Sequence, residues 1–363
     1  MRERISEQVG YGAESIWVST FHSTCVRILR RHIDRLGFDN NFTIYDSDDQ
    51  KTLMKDICKR LEIDTKIYKE RTFLNAISSA KDELMDPVAF ELSAVGDYNR
   101  QRQAKVYREY QAALKKNNAL DFDDLIMKTV ELFRADAEVL DYYQERFRYI
   151  MVDEYQDTNH AQYALTQLLA AKHRNIMVVG DDDQSIYSWR GADLSNILDF
   201  EKDYPEAHVV KLEENYRSTG NILAAANAVI ENNLMRKRKT LFTSQGEGEK
   251  IMVFTASDER DEGRWIAAEI EHQHGNGTSY NQMALFYRTN AQSRMLEDML
   301  LRAGVPYRLV GGTRFFDRAE IRDVMAYLNL VVNPANDVAA QRVINVPKRG
   351  IGNTTIEHIR TVA

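Results

Sequence analysis

The chain has 363 residues, of which 44% are apolar and 28% are charged, and its formal net charge is −7. This length predicts more than one domain, and the composition is that of an ordinary globular protein. No run of about 18 apolar residues occurs, so no membrane-spanning helix is expected. The negative charge argues against a non-specific polyanion binder, although basic residues can still line a single groove.

The N-terminus and the cysteines predict a cytoplasmic protein. Residues 1–7 are mostly charged or polar and lack the apolar centre of a signal peptide. The two cysteines, Cys25 and Cys58, both fall within helical patterns. We therefore expect buried thiols in a reducing compartment rather than a disulfide.

The N-terminal region is predicted to combine one strand with helices. Residues 15–19 favour a strand, and a helix over residues 21–36 follows, with Thr20 and Ser23 as plausible caps. Residues 45–117 show helical patterns and no convincing strand, which indicates an all-helical insertion. Its predicted helices cover residues 48–61, 70–81 and 102–116.

Three apolar segments further along the chain predict buried strands that end in polar residues. They cover residues 149–152, 175–179 and 208–212. A helical pattern over residues 161–172 makes the first two a strand–helix–strand unit of the parallel type. A second α/β region follows Arg217 and gives way to helical patterns from about Gly311. Its predicted helices cover residues 221–232, 259–271 and 293–303, and its predicted strands cover residues 250–255 and 282–287.

Two adjacent carboxylates, Asp153 and Glu154, come directly after the first of these strands. In a parallel sheet that position is the carboxyl edge, where α/β proteins bind ligands. One acid can hold Mg²⁺ on a nucleotide while its neighbour orients or deprotonates the attacking water. The structural alternative is a helix cap, since residues 155–158 could begin the next helix. The pair alone leaves both alternatives open.

The segment Gly180–Gly191 follows the next strand and is expected at the same sheet edge. Gln184 can both donate and accept hydrogen bonds, so it could contact a γ-phosphate or its attacking water. Tyr187 and Trp189 are flanked by polar residues, and nucleobases stack on such rings. Arg190 adds a planar cation. Ordinary core aromatics would have apolar neighbours at helical spacing, and these are largely absent.

Three further blocks contribute candidate residues. In Leu212–Thr219, Arg217 could stabilise charge on a transferring phosphate and Tyr216 could stack on adenine. In isolation, a structural role is favoured for both. The blocks Ser19–Ser23 and Tyr287–Arg294 lie at turns into helices, where free N-terminal amides suit phosphate groups.

Together these blocks resemble the superfamily 1 DNA helicases of the UvrD/PcrA/Rep group, and the resemblance extends over the whole chain. Leu120–Leu125, Phe315–Asp323 and Asn345–Gly352 also resemble that group. The resemblance implies an α/β fold with RecA-like parallel-sheet domains of the P-loop NTPase type and all-helical insertions. The implied domains are a first RecA-like domain at 1–44 and 118–217, a helical insertion at 45–117, the start of a second RecA-like domain at 218–310, and the start of a second helical insertion at 311–363.

The resemblance further implies an ATP-dependent DNA helicase of repair or replication that uses ATP and Mg²⁺. It would move 3′ to 5′ along single-stranded DNA and open 3′-tailed duplexes; no protein partner is indicated. Asp153 would bind Mg²⁺ and Glu154 would be the catalytic base. Gln184 would sense the γ-phosphate, while Tyr216 would stack on adenine and Arg217 would act as an arginine finger. The residues implied for the DNA track are Thr20, Phe21, His22, Tyr187, Trp189 and Asn290.

The phosphate-binding loop of that family, G-x-x-x-x-G-K-[ST], has no counterpart here, because the sequence contains no Gly-Lys dipeptide. We therefore expect an internal piece of a longer helicase, cut at both ends, with little hydrolysis or unwinding of its own. An absent N-terminal strand would also leave a sheet edge exposed. A non-catalytic single-stranded-DNA-binding protein is the second hypothesis, and a helicase–nuclease subunit of the RecB/AddA type is a third.

Overall fold

A computed structural model describes residues 1–188, 191–234, 236–310 and 319–362. The protein is rich in helices and contains short parallel strands. Within the described residues, no helix is both long enough and apolar enough to cross a membrane. The helices are α1 (Arg2–Val9), α2 (Phe21–His32), α3 (Ser47–Arg60), α4 (Glu70–Asp82), α5 (Pro87–Ser93), α6 (Tyr98–Lys116), α7 (Phe122–Ala135), α8 (Ala137–Arg146), α9 (His160–Ala170), α10 (Ser195–Leu198), α11 (Phe200–Asp203), α12 (Gly220–Ile230), α13 (Glu259–Gly275), α14 (Asn290–Ala303), α15 (Ala319–Val332), α16 (Asp337–Val343) and α17 (Asn353–Val362).

The strands form two parallel pairs. β1 (Thr43–Ile44) pairs with β2 (Ala119–Leu120), and β3 (Ile150–Val152) pairs with β4 (Ile176–Val178). Short 3₁₀ turns occupy Ala13–Ser15, Ile33–Leu36, Tyr155–Asp157, Asp182–Gln184 and Tyr280–Gln282.

The chain divides into two compact units. The first consists of Met1–Val210, Asn233–Arg238 and Ala319–Ala363. The second consists of Lys211–Asn232 and Lys239–Arg318. The first unit therefore contains both strand pairs, and it includes the C-terminal helices as well as the N-terminal ones.

The first unit has one apolar core around α2, α7 and α9. The α2 helix begins at the Thr20 cap and buries Cys25, Ile28 and Leu29, which lie on one face at helical spacing. A second core fills the segment from α3 to α6 around large buried rings such as Tyr107. Both cysteines are buried and free, as predicted, and burial raises the pKa of the Cys25 thiol to about 12.

A buried ion cluster joins α4 to the start of α7. Lys81 Nζ lies 2.7 Å from Asp121 Oδ2 and 3.0 Å from Asp124 Oδ1, and all three side chains are almost fully buried. Burial opposes the lysine charge, but the two carboxylates outweigh it and raise the pKa of Lys81. Tyr110 OH also donates to Asp121 Oδ2 at 3.1 Å. These contacts satisfy charges that would otherwise be costly to bury.

The helix pair α15 and α16 packs against the β1–β2 region through buried amides. Asn333 Nδ2 donates to Thr43 Oγ1 at 3.0 Å and to the Asn118 carbonyl at 3.1 Å. Tyr45 OH donates to Asn336 Oδ1 at 2.9 Å. Side-chain amides thus satisfy polar groups beside these two-residue strands, where the backbone ladder is too short to do so.

Four of the strand predictions are wrong, because the predicted segments do not pair with other described segments through backbone hydrogen bonds. Residues 15–19, 208–212, 250–255 and 282–287 lie among the described residues and form no ladder with a neighbour there. Each run has the apolar composition of a strand, but a strand also requires a partner for its N–H and C=O groups. Conversely, the β1–β2 pair was not predicted, because two residues are too few to show an alternating pattern.

Candidate functional site

The parallel pairing of β3 and β4 brings two polar loops to one sheet edge. Val152 lies opposite Val178 at the carboxyl ends of the two strands. Beyond the strands, Tyr155 N still donates to Val179 O at 2.9 Å. The acidic pair after β3 and the loop that begins at Gly180 therefore emerge side by side, which is where ligands bind in such sheets.

The backbone turns sharply at Glu154. Its φ is +53°, in the left-handed region that residues other than glycine rarely adopt. Glu154 N donates to Asp153 Oδ1 at 3.1 Å, and both acids are exposed. Backbone strain of this kind clusters at functional sites. Exposed carboxylate oxygens are also the ligands that Mg²⁺ prefers, so the chemistry of this pair fits the metal.

Gln156, which the sequence analysis did not single out, links the two loops. Its side chain is 1% exposed. Gln156 Nε2 donates to Glu154 Oε2 at 2.8 Å, and Gln156 Oε1 accepts from Asp181 N at 3.0 Å. A Cβ on Gly180 would lie 2.5 Å from that same Oε1, so the close approach requires glycine. The sequence shows only a glutamine close to Glu154 and Asp157, and that pattern does not reveal that its side chain is buried.

Gln184 lies in the 3₁₀ turn that follows β4. Its Nε2 donates to Asp181 Oδ2 at 2.8 Å, and its backbone N donates to Asp181 O at 2.9 Å. These bonds fix the amide group near the edge that carries Glu154. A neutral amide held in this way can contact a phosphate oxygen or a water without adding charge.

The acids Asp181, Asp182 and Asp183 bring carboxylate oxygens within 4.8 Å of one another. Arg236 donates two hydrogen bonds to Asp183, at 2.7 and 2.6 Å. The backbone N of Lys237 donates to Asp182 Oδ2 at 2.7 Å. Protein donors therefore already engage this trio, and we assign no metal to it.

The predicted DNA-contacting residues at the start of α2 are all described. Thr20 Oγ1 accepts from Ser23 N at 3.3 Å and caps the helix. The Phe21 ring is half-buried and packs against two apolar clusters. The His22 ring contacts Phe122 edge to face, with centroids 5.9 Å apart. Burial lowers the pKa of His22, so its imidazole is neutral near pH 7.

Two of the predicted DNA-contacting residues share one cavity. His22 and the exposed Tyr187 line a space of about 680 Å³ that α4 and the start of α7 also border. Trp189 lies outside the described residues. Asn290 is the first residue of α14, and its side chain also lies outside what the structure describes.

Tyr216 and Arg217 belong to the second unit, whereas the acidic pair and Gln184 belong to the first. Tyr216 OH donates to Glu214 Oε2 at 2.8 Å, and its side chain is 73% exposed. Arg217 N donates to Asn215 Oδ1 at 3.0 Å, which shapes a tight turn. This turn presents an aromatic ring and a guanidinium group to solvent.

Comparison with known proteins matches both parts of the chain to one helicase family. Residues 1–205 match the UvrD/REP helicase N-terminal domain, and residues 210–363 match the UvrD-like helicase C-terminal domain. The ATP-dependent DNA helicase PcrA of Staphylococcus aureus is 54% identical over 363 residues, and that of Staphylococcus epidermidis is 53% identical over 363 residues. Each match covers 100% of this chain and 50% of the relative. The chain thus spans about half the length of the curated relatives it matches.

Proposed function

We propose, from the premise that the chain belongs to the UvrD-like helicase family, that it is part of an ATP-dependent helicase moving 3′ to 5′ along single-stranded DNA. The observation that carries this proposal is the β3–β4 edge, where Asp153, Glu154 and the Gln184 loop meet. The same parallel pairing supports a RecA-like fold of the P-loop NTPase type. We assign the RecA-like domains to 1–44 with 118–217 and to 218–310, and the helical insertions to 45–117 and 311–363.

In this proposal each polar residue of the edge has a separate task. Asp153 holds Mg²⁺, which neutralises charge on the phosphates of ATP when bound. Glu154 accepts the proton of the attacking water, and Gln156 orients it by donating to Oε2. Gln184 contacts the γ-phosphate or that water. On the second unit, the proposed roles are adenine stacking for Tyr216 and stabilisation of transition-state charge for Arg217.

The proposed substrates are single-stranded DNA and 3′-tailed duplex DNA. The arrangement at α2 supports contact with a strand, since a capped helix start with a neighbouring imidazole suits a phosphate. The exposed Tyr187 ring offers a face on which a base can stack. We propose that the strand contacts Thr20, Phe21, His22, Tyr187, Trp189 and Asn290.

A second candidate function is single-stranded-DNA binding without catalysis. The observation that favours it is the absence of any Gly-Lys dipeptide from the sequence, because that lysine and its loop hold the β- and γ-phosphates in P-loop enzymes. On this account the 363-residue chain by itself binds DNA and hydrolyses ATP slowly or not at all.

ATP hydrolysis by the 363-residue chain, with and without single-stranded DNA, separates the two candidates. The control is Glu154→Gln, which keeps the shape of the side chain and removes the base. DNA-stimulated hydrolysis that falls about 100-fold or more in the control supports catalysis through Glu154. DNA binding without turnover above the control supports the second candidate for this chain. Hydrolysis that survives the substitution contradicts the role of Glu154, and a chain that binds no DNA contradicts both candidates.

A further inference from the structure

The segment Asn233–Arg238 is held to the first unit by an ion pair. In the sequence it lies between the two segments of the second unit, yet it belongs to the first. Arg236 Nε donates to Asp183 Oδ1 at 2.7 Å, and Arg236 Nη2 donates to Asp183 Oδ2 at 2.6 Å. The backbone N of Lys237 donates to Asp182 Oδ2 at 2.7 Å. One short segment therefore engages two consecutive acids of the turn that follows β4.

The Arg236–Asp183 pair is largely withdrawn from solvent. Each of its side chains is 10% exposed, whereas those of the surface pair Lys202–Asp199 are 76% and 49% exposed. A surface pair contributes little to stability, because water screens its charges. The guanidinium group of Arg236 meets both oxygens of one carboxylate, a geometry that fixes direction as well as distance. The pair therefore acts as a rigid anchor, and losing it costs more than losing a surface pair.

Asp183 belongs to the 3₁₀ turn that carries Gln184. Asp181 Oδ1 accepts from Asp183 N at 3.0 Å, and Asp181 Oδ2 accepts from Gln184 Nε2 at 2.8 Å. The carboxylate of Asp181 therefore holds the turn from its N-terminal side. Arg236 holds the same turn through the side chain of Asp183. The position of the Gln184 amide depends on both of these anchors.

The same turn is connected to Glu154 through a buried amide. Asp181 N donates to Gln156 Oε1 at 3.0 Å, and Gln156 Nε2 donates to Glu154 Oε2 at 2.8 Å. Both atoms belong to one planar amide group, so a displacement of its oxygen also reorients its N–H groups. Gln156 is 1% exposed, and water is therefore poorly placed to replace either bond. A shift of the turn is passed in this way to the carboxylate of Glu154.

We propose that Arg236 is a positioning residue for Glu154. By anchoring Asp183 it fixes the turn, and the two bonds of Gln156 carry that order to the carboxylate. The inference rests on the proposed function, in which Glu154 accepts the proton of the attacking water. Two donors of the guanidinium group are directed at Asp183, so Arg236 acts through this acid and not on a phosphate. Its loss loosens the sheet edge without removing a group that takes part in the reaction.

The first test is hydrogen–deuterium exchange of the 363-residue chain without nucleotide, followed by mass spectrometry. The informative amides are Asp157 N, which donates to Glu154 O, and Gln184 N, which donates to Asp181 O. In Arg236→Met, the segments that contain these amides are expected to exchange about tenfold faster, because the turn has lost its anchor. Arg236→Lys should give an intermediate rate, since lysine keeps the charge but lacks the two-pronged geometry.

Two further variants make this test specific. Asp183→Asn removes the charge of the acceptor and should reproduce the exchange pattern of Arg236→Met. Arg60→Met is the matched control, because the Arg60 side chain is 59% exposed and pairs with Glu109 on the surface of the helical insertion. It removes the same kind of side chain from an exposed pair. Both informative segments should then exchange as they do in the wild type.

The exchange pattern decides between a local and a general role. Unchanged exchange in both segments of Arg236→Met overturns the proposal. Faster exchange around Gln184 alone overturns the connection to Glu154. Faster exchange throughout the first unit shows a general structural role and overturns the positioning role as well. Faster exchange confined to the two segments supports it.

ATP hydrolysis supplies a second readout, which a purely structural role would not produce. Where the wild-type chain hydrolyses ATP, Arg236→Met is expected to lower kcat about tenfold and to leave the KM for ATP unchanged. A raised KM with an unchanged kcat would show that Arg236 contacts the nucleotide, and would overturn the positioning role. A wild-type chain without turnover bears only on the proposed catalysis, because the exchange measurement requires no nucleotide.

Discussion

At the scale of single residues, Gln156 is the side chain on which the two acidic loops depend. We expect Gln156→Ala to lower the free energy of unfolding by about 1–3 kcal/mol, because Glu154 Oε2 loses its donor and Asp181 N loses its acceptor. Urea denaturation measures this change. Gln101→Ala, at an exposed position of α6, is the control and should change stability by about 0.5 kcal/mol or less. Equal losses in the two variants would contradict the bridging role.

Asp82 makes the free energy of unfolding depend on pH, and the direction of that dependence follows from its pKa. Burial and the nearby acids Asp123 and Glu83 raise its pKa from 3.8 to about 7. The folded protein therefore holds this proton more tightly than the unfolded chain does, and the free energy of unfolding falls as pH rises between those values. The substitution Asp82→Asn removes this loss of stability. The amide oxygen of the new side chain can still accept the hydrogen bond from Asn159.

We expect Asp82→Asn to be more stable than the wild type by about 1–2 kcal/mol near pH 8, after allowance for solvent screening. The difference should shrink towards pH 5, where the wild-type carboxyl group is largely protonated. Thermal or urea denaturation across this range measures it. A difference of the same size at every pH would show that the ionisation of Asp82 is not its cause.

The candidate site was predicted from sequence only where the signal is local. Asp153 and Glu154 follow an apolar run directly, so their place at a strand end could be inferred from neighbours in the sequence. The burial of Gln156 and the meeting of Asp82 with Asp123 could not, because each depends on segments distant in the chain. A sequence pattern records which residues are adjacent along the chain and not which loops pack together.

At the scale of elements, helices depend on residues that are close in the sequence, whereas strands depend on segments that are distant in the chain. The predicted helices at 48–61 and 70–81 agree closely with α3 and α4, since helical periodicity and caps such as Asp46 lie within one segment. Four strand predictions are wrong because a strand needs a hydrogen-bonded neighbour, and a local sequence pattern does not show which segment that neighbour is. The predictions of β3 and β4 are confirmed, because the helix between the two strands requires them to pair in parallel.

The ion cluster between α4 and α7 tests how these elements are held together. Lys81→Met leaves Asp121 and Asp124 buried without a cation, so we expect a loss of about 3–5 kcal/mol in the free energy of unfolding. Adding Asp121→Asn and Asp124→Asn should restore much of that loss, because neutral amides remove the unpaired charges and can still cap α7. Denaturant titration of the single and triple variants measures both effects. A triple variant no more stable than Lys81→Met would contradict this account.

At the scale of the whole chain, each unit carries apolar side chains on its surface. In the first unit, Met151 on β3 is 77% exposed and Met177 on β4 is 54% exposed. In the second unit, Val253 and Phe286, within two of the unpaired runs, are 85% and 91% exposed. Adjacent exposed apolar residues on a short sheet favour contact with other apolar surfaces.

We therefore expect the 363-residue chain to bind the dye ANS and to associate with itself as its concentration rises. Met151→Thr combined with Met177→Thr should lower both effects, while the free energy of unfolding changes by about 0.5 kcal/mol or less, because the replaced side chains lie on the surface. Dye fluorescence and sedimentation velocity measure the two effects. Ile67→Thr, at an exposed site of the helical insertion, is the matched control. A double variant that binds dye and associates as the control does would show that the β3–β4 face is not the surface responsible.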